Sequence, residues 1–162
     1  MLQFYQAAAS YSDNNDGQFP RVEDGKPATT VADTLKLKGY LPADQRFVCP
    51  AHAAEPVTPA SLVNYAYTLG FREGNQLQGV DRYTEAASMP ILADAPIRQG
   101  NLAIPGNHRH GHNVLFADGN VRFCTDSHVG VNRDDIFYST DIKVKAGNSR
   151  TDTVLGRPEE VP

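Results

Sequence analysis

Alternation of apolar and polar side chains is clearest over Ser61 to Phe71, where Val63, Tyr65, Tyr67 and Leu69 share one side and Asn64, Ala66, Thr68 and Gly70 the other. A period of two predicts a half-buried strand, and its tyrosines read as core rather than as a ligand platform. Residues 2–12 carry a helical pattern instead: Leu2, Tyr5, Ala9 and Ser12 trace one face, Phe4, Ala8 and Tyr11 its neighbour, and three successive alanines favour helix. Asp13-Asn-Asn-Asp-Gly17 ends it, and Pro20 prevents its resumption. A second helix is expected from Thr30, its cap, to Lys38, with Val31, Leu35 and Lys38 on one side, Lys36 and Lys38 suiting its C-terminal end, and Gly39 closing it.

Met89 to Ala93 predicts a short buried strand, with Asp94 at its end. Residues 95–111 read as a long loop. A β-hairpin is expected over 112–124 around Asp118-Gly119, a dipeptide suited to a two-residue type I′ turn. That turn would pair Ala117 with Asn120, Phe116 with Val121, Leu115 with Arg122 and Val114 with Phe123. Val114, Phe116, Val121 and Phe123 would then share the core face. Asp134 to Tyr138 predicts a last short strand or an extended strap, and 143–162 a polar, irregular tail. These elements give an α+β class, with an N-terminal helix packed on an antiparallel sheet of about four strands and a loop-rich tail.

At 162 residues the chain fits a single domain, 1–162, and eleven prolines with thirteen glycines predict short elements joined by loops. A net charge of −4 with scattered Lys and Arg gives no support for a nucleic-acid partner. No apolar run approaches the ~20 residues that span a bilayer, so these residues read as soluble. Two cysteines are too few for a disulfide scaffold. Cys49 and Cys124 could form one bridge or remain two unrelated thiols. The DNNDG run fits a calcium loop poorly: Gly17 falls fifth, and the twelfth position is Asp24, not Glu. It reads as a turn.

The concentration of metal-competent side chains is His108, His110 and His112. At strand spacing they would project to one side, and with Asp94 or Asp118 they would suit zinc or another borderline metal. Gly111 could break that alternation. The favoured reading is structural: His108 pins the loop to the hairpin through a buried His–Asp contact, and Asp118 satisfies backbone N–H groups in the turn. Cys49 has no second cysteine nearby, so no CxxC site exists, and His52 reads as a solvent-facing loop residue. Nucleophile-elbow, zincin, P-loop and dinucleotide signatures are missing, so no enzyme and no obligatory cofactor are expected.

His108, nine intervening residues and Asp118-Gly119, within NVLFADGNVRF, resemble the H-X9-DG signature of the prepilin-type, processing-associated proteins of planctomycetes, the DUF1559 pseudopilin-like family. The weaker passages YSDNNDGQFP over Tyr11 to Pro20, similar to a YxxDNNGxFP ending with Asp16 as an added residue, YLP at 40–42, FVCPA at 47–51, ILAD at 91–94, DDIF at 134–137 and DTVLG at 152–156 are similar in order. The resemblance implies a pilin-like arrangement in which residues 1–12 are the remnant of a longer N-terminal helix. Met1 would stand in place of a membrane anchor bearing a prepilin cleavage site. It further implies the extracytoplasmic, membrane-anchored head of a pseudopilin in a type II secretion or type IV pilus-like system. Its partners would be other pseudopilins, secretion components and a prepilin peptidase, and a structural calcium or zinc ion is conceivable near Asp94 or Asp118. The alternative is an extracytoplasmic binding module for metal or carbohydrate using the 95–112 loop and its histidines.

Overall fold

The computed structural model describes residues 1–50, 62–99, 102–104, 108 and 110–162. His52 and the loop over 53–61 lie outside the described residues. In chain order the elements are α1 (Leu2–Asp13), α2 (Thr30–Leu37), β1 (Phe47–Val48), β2 (Leu62–Val63), β3 (Tyr65–Thr68), β4 (Phe71–Glu73), β5 (Gln76–Gln78), β6 (Pro90–Asp94), β7 (Ile97–Gln99), β8 (Leu102–Ile104), β9 (His112–Phe116), β10 (Val121–Cys124) and β11 (Leu155–Gly156). The class is α+β, and five strands form one antiparallel sheet in the order β10-β9-β6-β3-β11. No helix among the described residues is long and apolar enough to cross a membrane.

Helix α1 buries Phe4, Ala7, Ala8 and Ser12. This is the neighbouring face of the one traced through Leu2, which is exposed. The Phe4 ring meets Phe47 and Tyr67 edge-on, with centroids 5.4 and 5.6 Å apart. The helix ends as its composition predicts: Asn14 and Asn15 donate side-chain bonds to the Ser10 and Tyr11 carbonyls, and Gly17 turns the chain at φ +76°. Helix α2 begins one residue inside its cap, Thr29 rather than Thr30, and buries Val31, Ala32 and Leu35.

The sheet is covered on both faces. On one, Tyr65, Tyr67, Leu92 and Leu115 join the helices in one core. On the other, Ala66, Ala93, Val114, Phe116 and Leu155 pack with Ile136 and Phe137. All four residues of β3 are therefore buried, where alternation alone leaves one side wet. Residues 134–138 form the strap: Ile136 accepts a backbone bond from Leu155 at 2.7 Å. Three expectations are corrected here. The tail is not irregular throughout, because Leu155–Gly156 adds the fifth strand beside β3. The loop over 95–111 contains the short β7–β8 pair. The strand over 61–71 is also interrupted, at Asn64, whose φ is +59°.

The hairpin forms, but in a different register. Val121 pairs with Leu115, Arg122 with Val114, Phe123 with Asn113 and Cys124 with His112. Gly119 N–H donates to the Phe116 carbonyl and Phe116 N–H to the Asn120 carbonyl, both at 2.9 Å. The loop is thus three residues, Ala117 to Gly119, and of these only Gly119 is left-handed, at φ +88°. A slip of one residue sends side chains to the opposite face. Val121 and Phe123 are accordingly exposed, not core.

Gly119 is required twice over. Its φ disfavours any side chain, and a Cβ there would lie 2.7 Å from the Tyr5 ring of α1. Gly119→Ala is expected to cost about 2–3 kcal/mol in denaturant unfolding. The cost should shrink in a Tyr5→Ala background, where only the backbone penalty remains. Equal costs in both backgrounds would refute the collision.

At the start of the strap, burial first, then the neighbouring Asp152 and Asp135, pushes Asp134 up to about 6. A carboxyl whose folded pKa exceeds its unfolded one makes stability fall as pH rises, here from about 4 to about 6. Asp134→Asn should therefore stabilise the protein near neutrality by about 1 kcal/mol, discounted for solvent access. The gain should vanish near pH ~3. A chemical-denaturation series across pH measures it, and an unchanged or lowered midpoint at neutrality counts against the assignment.

Candidate functional site

Three side chains distant in sequence converge on the helix-covered face of the sheet. Cys49 follows β1, Asp94 ends β6, and His108 sits in the turn that leads into β9. The β6–β9 register, Ala93 opposite Val114, brings Asp94 beside Asn113. Asp94 Oδ2 accepts from Asn113 N–H at 2.7 Å and from its amide Nδ2 at 2.8 Å. His108 Nε2 lies 3.0 Å from the same oxygen. The Cys49 thiol donates to Asp94 Oδ1 at 3.4 Å, and its sulfur lies 3.3 Å from His108 Nε2. Cys49 and Asp94 are buried, and His108 is partly open to a cleft of about 510 Å³ bordered by Leu2, Tyr65, Asn113 and Val121. Burial pushes the Tyr65 phenol up, with Cys49 and Asp94 adding in the same direction, so the wall beside the site is neutral.

The arrangement separates two kinds of chemistry. A nucleophile–base–orienter relay uses both imidazole nitrogens, one for the nucleophile and one for the carboxylate. Here Cys49 and Asp94 both address Nε2. The cluster is not wired as a Cys–His–Asp relay, and a fully buried sulfur is poorly placed to attack a substrate. Sulfur, nitrogen and oxygen instead lie within 4.8 Å of one another, the spacing of groups that share one ion or one set of protons.

Of the sequence-derived metal set, His108 and Asp94 are brought together, and the other three are not. His110 is exposed in a left-handed turn, φ +81°. His112 lies on the opposite face of the sheet, its ring 5.3 Å from that of Phe137. Asp118 closes the hairpin loop, accepting Asn120 N–H at 3.0 Å and its amide at 2.8 Å. A partly buried His–Asp contact therefore exists, but His108 makes it with Asp94 and not with Asp118. The alternation of three histidines fails at Gly111, where a Cβ would lie 2.3 Å from the Phe123 ring and 2.6 Å from the Cys124 carbonyl. Of the two alternatives for the cysteines, the structure takes the unbridged one: Cys49 lies in the helix-side core, Cys124 against the strap-side core, and no bond joins them. Cys49 is the member missed from sequence, since its partners lie 45 and 59 positions away. The only signal for it was the order of the CP, ILAD and histidine passages.

His112 is fully buried, and neither ring nitrogen finds a hydrogen-bond partner among the described residues. Burial pushes its pKa down, against the opposing pull of Asp94, Asp126 and Asp135. The unfolded imidazole protonates near about 6.5, the folded one only at lower pH. Stability is thus full above about 6.5 and falls as pH drops below it. His112→Leu should flatten that fall, with a gain of about 1 kcal/mol near pH ~5.5. Parallel pH profiles of the two proteins would show this reading to be wrong.

Comparison with protein-family models, with curated proteins and with solved structures finds no match.

Proposed function

We propose that this chain is a non-enzymatic assembly subunit, the head of a pseudopilin-type protein serving a type II secretion or type IV pilus-like apparatus. The observation that carries the reading is the joint between α1 and the Asp-Gly corner. Tyr5 of α1 lies against Gly119 and donates to the Ala117 carbonyl at 3.4 Å. The passage that carries the family resemblance is thereby built into the docking of the N-terminal helix. Leu2 at one end of α1 and Val121 and Phe123 on the edge strand remain exposed, apolar positions that copies of the chain can cover on assembly. The convergence of Cys49 and Asp94 on one nitrogen of His108 supports the absence of relay chemistry.

In this reading the arrangement is pilin-like, the head works outside the cytoplasm, and α1 continues an upstream anchor. The partners are other pseudopilins, secretion-system components and a prepilin peptidase. The encoded segment before Leu2 tests the proposal. An apolar stretch with a prepilin cleavage site, processed when co-expressed with the peptidase, supports it. A cleavable signal peptide that releases a free monomer contradicts it and favours a binding module.

A further inference from the structure

We propose that Cys49, Asp94 and His108 bind one zinc-class divalent cation. The inference does not depend on the assembly reading, since it stands on the donor atoms alone. A tetrahedral zinc site with a thiolate at about 2.3 Å and nitrogen or oxygen at about 2.0–2.2 Å spaces its donors about 3.6 Å for S–N and S–O and about 3.4 Å for N–O. The chain holds Sγ–Nε2 at 3.3 Å and Sγ–Oδ1 at 3.4 Å, each within a few tenths of an ångström of those spacings. Nε2 lies 3.0 Å from the other carboxylate oxygen, Oδ2, and one donor atom from each of the three residues falls within 4.8 Å of the others.

The donor set selects the ion. One sulfur, one imidazole and one carboxylate suit zinc and its neighbours, whereas calcium and magnesium require oxygen ligands. Asn113 supplies the outer shell: its two donors occupy Asp94 Oδ2 and leave Oδ1 towards the sulfur. Binding exchanges protons for the ion. The Cys49 thiol loses its proton to solvent and becomes the thiolate ligand, and His108 ligates through Nε2 with its single proton on Nδ1. A water molecule from the cleft beside Tyr65 and Val121 fills the fourth position. The ion then ties the end of β1, the end of β6 and the turn before β9 into one unit.

The test uses the full chain, free of any histidine tag and stripped with a chelator, then titrated with zinc or cobalt(II). One equivalent should bind, and cobalt should give a sulfur-to-metal charge-transfer band. Cys49→Ser should abolish that band, and His108→Ala should weaken zinc binding at least ~100-fold. Asn113→Ala should weaken it about 10–100-fold, as outer-shell changes do. His110→Ala and Cys124→Ser should leave both readouts unchanged. At zinc one hundred times Kd, Tm should rise by about 5–10 °C. X-ray absorption of the unmodified zinc-loaded chain keeps the proposal exposed even where a variant fails to fold. One sulfur near about 2.3 Å among nitrogen and oxygen neighbours supports it. A nitrogen- and oxygen-only shell, a band that follows Cys124, or affinity indifferent to His108→Ala overturns it.

Discussion

Asp94→Ala is expected to lower stability by about 3–5 kcal/mol, the range seen when one member of a buried charged network is removed. Asp94 is almost wholly buried, and one carboxylate serves Asn113 N–H, the Asn113 amide, His108 and Cys49. Truncation leaves a partly buried backbone N–H and a side-chain amide without this acceptor, and a buried loss of that kind costs up to about 1–3 kcal/mol. Asp94→Asn keeps the shape and one carbonyl acceptor, so it should cost less. His108→Ala should cost less again, because that imidazole is partly exposed. Urea unfolding in the presence of a chelator separates this structural cost from any effect of bound metal. A ranking with His108→Ala as the most damaging would contradict the central place given to Asp94.

The second large effect is at Phe4. Phe4→Ala is expected to cost about 3–5 kcal/mol, as for other buried phenylalanines, because its ring sits between Phe47 and Tyr67 in the helix-side core. Leu2→Ala, two residues away and exposed, should change stability by no more than about 0.5 kcal/mol. Helical periodicity alone does not rank the two, since it places Leu2 and Phe4 on neighbouring faces. Equilibrium unfolding of the two variants decides between the faces. Comparable losses would mean that α1 is docked through a different side.

The elements with strong local signals were readable from the chain: α1 and its DNNDG ending, α2, the 89–93 strand and the hairpin. What escaped is set by contacts between distant residues. Asp118-Gly119 suits both a two-residue and a three-residue loop, and the choice is made where Gly119 meets Tyr5 and where Phe116 is buried. Val154 and Leu155 are fully buried, but a two-residue strand is too short to show a period. The three histidines looked like a cluster because their spacing was read as strand, whereas the chain turns at His110 and Gly111. Asp94 was legible as a polar residue closing an apolar strand. Cys49 carries no local signal because it has no second cysteine nearby, whereas a metal site needs neighbours in space and not in sequence.

Assembly of this domain with copies of itself is the proposal on which the functional reading rests. A photo-crosslinking residue placed at position 2 of the protein expressed in its source cells tests that proposal most directly, because Leu2 is an exposed apolar side chain at the start of α1. The expected result is a ladder of homo-oligomeric adducts that co-fractionates with sheared filaments. Monomer alone, found only in the soluble fraction, would contradict it.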